Sequence, residues 1–162
     1  MKPQNILVDE NNNPKICDLG MAKFIGGGDQ TVYQENGGGM GTPGYMPPEV
    51  IMLKKGQRYE PKYWDVFSMA MIIYFMWTGK HPLRDEFGTA FMIDEEISRG
   101  TRPILPLSIP IAIRDIVRQM WEQDYTKRPT MEEVSIELNK LQEMDENDDN
   151  EHIQMNPITN IL

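Results

Sequence analysis

Cysteine is nearly absent from this chain of 162 residues, with Cys17 standing alone. One thiol excludes an internal disulfide framework and fits a reducing compartment. Long apolar runs are missing as well. The longest, Val66 to Trp77, has twelve residues, whereas a helix across a bilayer needs about 20. That run reads as a buried helix, and no membrane partner is expected. A basic excess is also lacking, since the net charge is −9. Glu143, Asp145, Glu146, Asp148, Asp149 and Glu151 follow Leu141 with no Lys or Arg among them, and without these six the remaining charge is −3. A near-neutral body offers no basic face for nucleic acid. The N-terminus has no basic-then-apolar leader, so the expected location is cytoplasmic.

What is present reads as one α-rich domain. The length suffices for a single core. Ile6-Leu7-Val8 and Lys15-Ile16-Cys17 flank a polar turn cluster, Asp9 to Pro14, which predicts a small β-hairpin. Residues 18–49 carry Gly26–Gly28 and Gly37–Gly39, too much glycine for a stable helix or strand. Pro47-Pro48 opens a short helix through Leu53. Lys62 to Thr78 predicts a long helix closed by Gly79, its second half apolar on nearly all sides and therefore central. Thr89 to Arg99 is a helix ended by Gly100, and Thr101 to Leu107 is extended around Pro103 and Pro106. Pro110 to Gln123 places Ile113, Ile116, Val117, Met120 and Trp121 on one helical stripe. Thr130 with Glu133 forms a capping box for a last helix whose face is Met131, Val134, Leu138 and Leu141. The segment from Asp145 reads as an acidic, disordered tail.

The chemistry sits near the N-terminus. Asn5 and Asp18 each border a strand of the hairpin, so both can face one cleft. An amide oxygen and a carboxylate are hard ligands suited to Mg²⁺ holding phosphate oxygens. Lys2 adds a positive charge beside them. Metal, cation and position are what phosphoryl transfer asks of a protein.

Order and spacing extend the pattern. Lys2-Pro3-Gln4-Asn5, Asp18-Leu19-Gly20, Gly41-Thr42-Pro43-Gly44-Tyr45-Met46-Pro47-Pro48-Glu49, Asp65, Gly79-Lys80-His81-Pro82 and Arg128-Pro129-Thr130 follow one another. This series resembles the eukaryotic protein kinase family over residues 1 to about 141. The resemblance implies a kinase-like large lobe, a helical bundle with a small β-hairpin at the site. It implies transfer of the ATP γ-phosphate to Ser or Thr of a protein substrate, with ATP and Mg²⁺ (or Mn²⁺) as cofactors. Asn5 and Asp18 resemble the metal ligands, and Lys2 the residue at the γ-phosphate. Thr42 resembles the residue that binds that lysine. Residues 18–49 resemble the activation segment, where Thr31 and Tyr33 are candidate phosphosites for an upstream activating kinase. Glu49 and Arg128 resemble a structural ion pair, and Asp65 the carboxylate that holds the catalytic-loop backbone. Leu19 for Phe, Pro47 for Ala and Ala70 for Gly depart from the family pattern. Lys2 and Thr42 fit serine/threonine enzymes. Gly100-Thr101-Arg102-Pro103 and Met120-Trp121 resemble the tyrosine-kinase-like group.

The same alignment puts the family's catalytic Asp immediately before Met1, and no glycine loop precedes a lysine-bearing strand. The expectation is a truncated C-lobe over 1–141 with an acidic tail over 142–162. Taken alone, the 162-residue chain is expected to be inactive and to bind Mg-ATP weakly or not at all. The alternative is a catalytically inactive lobe that serves as a binding module. Cys17 reads as a small buried hydrophobe rather than a reactive thiol, His81 as structural and His152 as solvated. Tyr45 is expected to pack under the substrate-binding turn.

Overall fold

The computed structural model describes residues 1–21, 32–33, 41–54 and 58–151. Strands β1 (Ile6–Val8) and β2 (Pro14–Ile16) pair antiparallel, with Ile6 opposite Ile16. Their turn is held by Asp9, whose Oδ1 accepts from the Asn11 and Asn13 amides. Within the turn Asn12 takes a left-handed φ of 62°, a conformation asparagine tolerates. The second strand begins one residue earlier than its apolar pattern suggests, because Val8 pairs with Pro14 at the end of the ladder.

Helix α1 (Pro48–Ile51) starts behind Pro47, and α2 (Pro61–Thr78) ends on left-handed Gly79, φ 68°. Four further helices follow: α3 (Arg84–Phe87), α4 (Ala90–Arg99), α5 (Ile111–Met120) and α6 (Met131–Glu151). Helix α2 is the axis of the core. Val66, Phe67, Ser68 and Ala70 to Tyr74 are buried, joined by Ile97, Ile109, Val117 and Met120. Most of these buried residues, Ala70 to Tyr74, lie in the second half of the helix as expected, and only Met76 and Trp77 at its end are exposed. α5 packs on α2, α6 on α5, and α4 on both α1 and α3. The result is a mainly helical lobe with the hairpin at one end.

Two strands appear that the sequence does not announce. β3 (Val32–Tyr33) lies in the glycine-rich segment and pairs antiparallel with β4 (Arg58–Tyr59). A partner far away in sequence supplies the hydrogen bonds that local composition cannot foretell. Helix α6 runs to Glu151, ten residues past Leu141, where a disordered tail is expected. Residues 142–151 contain neither Gly nor Pro, and Gln, Glu and Met favour helix. Residues 152–162, with His152, lie outside the described residues. No helix among the described residues is long and apolar enough to cross a membrane.

The α6 capping box is complete. Thr130 N donates to Glu133 Oε2 at 2.7 Å, and Glu133 N donates to Thr130 Oγ1 at 3.2 Å. Replacing Thr130 with Ala is expected to cost about 1 kcal/mol, read as a lowered urea midpoint with an unchanged slope.

Candidate functional site

The hairpin brings the backbones of Asn5 and Asp18, the two expected oxygen ligands, close together. Asn5 ends a 3-10 turn, Pro3–Asn5, whose backbone closes through Asn5 N to Lys2 O at 3.0 Å. Pro3 favours this turn, since it fixes φ and lacks the amide that a first turn leaves unpaired. Beyond β2, Cys17 N donates to Asn5 O at 2.8 Å, so Asn5 and Asp18 are one residue out of register across the ladder. Cys17 itself is half-buried, its thiol 3.9 Å from the Gln4 carbonyl.

Asp18 sits at φ 58°, a left-handed conformation that costs a non-glycine residue free energy and clusters at functional positions. Its carboxylate turns toward Gly20, where a Cβ would meet Asp18 Oδ1 at 3.3 Å. Glycine there leaves the carboxylate its place. The donor set fits Mg²⁺, a hard cation that takes one or two protein oxygens and keeps the rest of its shell for water and phosphate. Among the described residues no group of three or more His, Cys, Asp or Glu gathers elsewhere to compete as a metal centre.

Lys2 and Thr42 line one cavity of about 390 Å³, together with Gln4, Tyr45, His81 and Arg84. Its floor is rigid. Tyr45 is buried, and its hydroxyl shares a hydrogen bond with His81 Nδ1 at 2.9 Å. The His81 ring stacks on Phe75 at 5.0 Å between centroids, and the Tyr45 carbonyl accepts from buried Ser68 Oγ at 2.8 Å. Burial pushes the Tyr45 phenol well above its ordinary range, so it stays a neutral hydrogen-bonding group. Gly44, at φ 87°, packs its Cα side 3.0 Å from the Pro82 carbonyl as judged by an added Cβ. Both the backbone angle and the close approach require glycine. Sequence reading treated His81 and Tyr45 separately. Thirty-six residues separate them, and nothing local signals the contact.

Behind the cavity, Glu49 and Arg128 meet. Arg128 Nη1 and Nη2 donate to Glu49 Oε1 and Oε2 at 2.7 and 2.9 Å. Arg128 also donates to the Glu122 and Tyr63 carbonyls, and its side chain has no exposed surface. Its guanidinium lies 5.0 Å from the centre of the Phe67 ring, and Arg102 lies at the same distance from that ring. Arg102 donates to the Trp121, Ile97 and Thr101 carbonyls and to Gln123. Burial, reinforced by the nearby Arg128 charge, lowers the Arg102 pKa to about 10. Sequence reading used Arg102 only as a group marker and missed that it braces the loop after α4 against α5.

Asp65, in the first turns of α2, has Oδ1 3.8 Å from the Met1 nitrogen. Partial burial raises its pKa. The carboxylate therefore faces the backbone that carries Lys2 and Asn5. Thr31 lies outside the described residues, as do both glycine runs. Tyr33 is placed on β3.

Comparison with known proteins identifies a family for the chain. A family model described as "Protein kinase domain" matches residues 1–137. R818 of Acanthamoeba polyphaga mimivirus, provisionally named a serine/threonine-protein kinase/receptor, is 35% identical over 87% of this chain. The human ankyrin repeat and protein kinase domain-containing protein 1 is 34% identical over 87% of it. The dual specificity protein kinase pyk3 of Dictyostelium discoideum is 33% identical over 85%. The matches span only 8%, 19% and 10% of the lengths of those three relatives.

Proposed function

The chain belongs to the protein kinase family, and from that membership we propose that it forms part of a kinase that phosphorylates Ser or Thr of protein substrates. The observation that carries this reading is the hairpin juxtaposition of Asn5 and Asp18, with Lys2 one short turn away. ATP brings the transferable phosphate, and Mg²⁺ offsets the charge on its oxygens. Asn5 and Asp18 would hold the metal. Lys2 would orient the γ-phosphate, and Thr42, across the same cavity, would position the lysine and the acceptor. Glu49, Arg128 and Asp65 fix the scaffold on which these groups sit. Lys2 and Thr42 support serine/threonine specificity, and the Arg102 and Trp121 segments support the tyrosine-kinase-like group. A protein substrate and an upstream kinase acting on Thr31 or Tyr33 are the partners this reading calls for. The single thiol favours a reducing compartment, which supports a cytoplasmic location.

The reading is tested on this chain joined behind the upstream half of the kinase domain of its human relative, with Mn²⁺·ATP as a paramagnetic probe. Amide resonances of Lys2, Asn5, Asp18 and Gly20 are expected to broaden first, with those of α6 unchanged. Uniform broadening, or none at the hairpin, removes the phosphoryl-transfer reading and leaves a binding module.

A further inference from the structure

We propose that Arg84 makes the cavity beside Lys2 a subsite for an anionic side chain of the bound peptide, a carboxylate or a phosphate group. The proposal rests on the reading of Lys2 as the residue at the transferred phosphate. It adds the class of sequence that the site selects.

The charges lining the cavity are of one sign. Lys2 and Arg84 are basic, and among the described residues no carboxylate lines the cavity. Among the described residues neither cation enters an ion pair, whereas Lys15, Lys62, Lys80, Arg99, Arg118 and Arg128 all do. The acid next in sequence is engaged elsewhere, with Asp85 3.2 Å from Lys80. The backbone that carries Arg84 is anchored. Leu83 before it is buried, with a left-handed φ of 58°, which anchors the turn in the core and leaves Arg84 exposed at the cavity. The buried Tyr45 and Ile93 form the apolar floor. Weaker screening over such a floor strengthens an ion pair, and the Arg84 fork can grip a carboxylate or phosphate with two hydrogen bonds.

Size sets the reach. A cavity of about 390 Å³ is roughly 9 Å across, or two to three residues of extended chain at about 3.3 Å each. Because Lys2 forms one wall, the anionic residue falls one to three positions from the acceptor hydroxyl. The net charge of −9 works the other way, since the protein as a whole repels acidic peptides. A preference for an anion is therefore the mark of this local pair of cations and not of the overall field.

The test uses the full chain and fluorescein-labelled serine peptides that differ at one of the three positions on either side of the acceptor. That position carries Glu, phosphoserine, Gln or Lys, and binding is read by anisotropy at low salt. At one position the Glu and phosphoserine peptides are expected to bind at least tenfold tighter than the Gln peptide. Their ranking tells which anion the subsite suits. Arg84→Gln and Arg84→Ala are expected to abolish the gap, and Arg84→Glu to favour the Lys peptide. Arg84 is exposed, and circular dichroism checks that each variant stays folded. Equal binding of all four peptides, a Lys preference in the unaltered chain, a gap that survives Arg84→Gln, or no binding at all overturns the proposal. Failure of the kinase reading shows separately, as absent hairpin broadening by Mn²⁺·ATP in the protein joined to an upstream kinase half, while the chain still discriminates peptides through Arg84.

Discussion

Arg128→Ala is expected to destabilise the fold by about 3–5 kcal/mol, the cost of stranding one partner of a buried ion pair. Domains of this kind are stable by only about 5–15 kcal/mol, so the variant loses much of its margin. Three losses coincide. Glu49 loses both donors of a bidentate contact, at 2.7 and 2.9 Å. The carbonyls of Glu122 and Tyr63 lose theirs. One cation is removed from the Phe67 ring, itself wholly buried. At 2–4 °C per kcal/mol for a chain of this size, the melting temperature falls by roughly 10 °C. Arg128→Lys keeps the charge but not the fork, and falls between. The double variant Glu49→Leu with Arg128→Met removes both charges and is expected to lose less than the sum of the single changes, because no charge is left buried alone. Thermal and urea unfolding of the unaltered chain, Glu49→Leu, Arg128→Met and the double variant decide it. Additive losses in the double variant would mean that the pair packs without coupling.

The second large effect is on chemistry. Asp18→Asn is expected to lower kcat by at least about 100-fold, or about 2.7 kcal/mol of transition-state stabilisation. The assay protein is this chain joined behind the upstream half of the kinase domain of its human relative. The substitution keeps size and shape while removing the charge that would hold the metal. It leaves the fold alone, because Asp18 is exposed and Asn tolerates φ 58° at least as well as Asp. A loss in kcat with little change in stability therefore separates a metal ligand from a structural residue. A KM effect alone would assign Asp18 to uniform binding and not to the reaction.

The helical part of this fold was legible because its signals are local. Gly79 closes α2 and Gly100 closes α4, both left-handed, and Thr130 with Glu133 opens α6. The apolar stripe of α5 does become its buried face at Val117 and Met120. Errors arose where distant chain decides. β3 exists because Val32 and Tyr33 meet Tyr59 and Arg58, and no window of sequence contains both. The α6 extension follows from helix propensity, which acidic composition masked. In the candidate site, Asn5, Asp18, Glu49 and Arg128 were visible through motif order. The Tyr45–His81 bond, the Ser68 contact under it and the Arg102 brace were not, since each joins residues 36, 23 and 19 positions apart. Arg84 illustrates the same limit, because its bearing on the site comes from a turn that faces Lys2 across a cavity.

The most direct test of the central claim is the product formed by the joined protein from γ-labelled ATP and a mixed protein substrate, resolved into phosphoamino acids. The account predicts label on phosphoserine and phosphothreonine, and its loss in Asp18→Asn. Label on phosphotyrosine alone would contradict the serine/threonine reading, and no transfer by a folded protein would contradict the kinase reading itself.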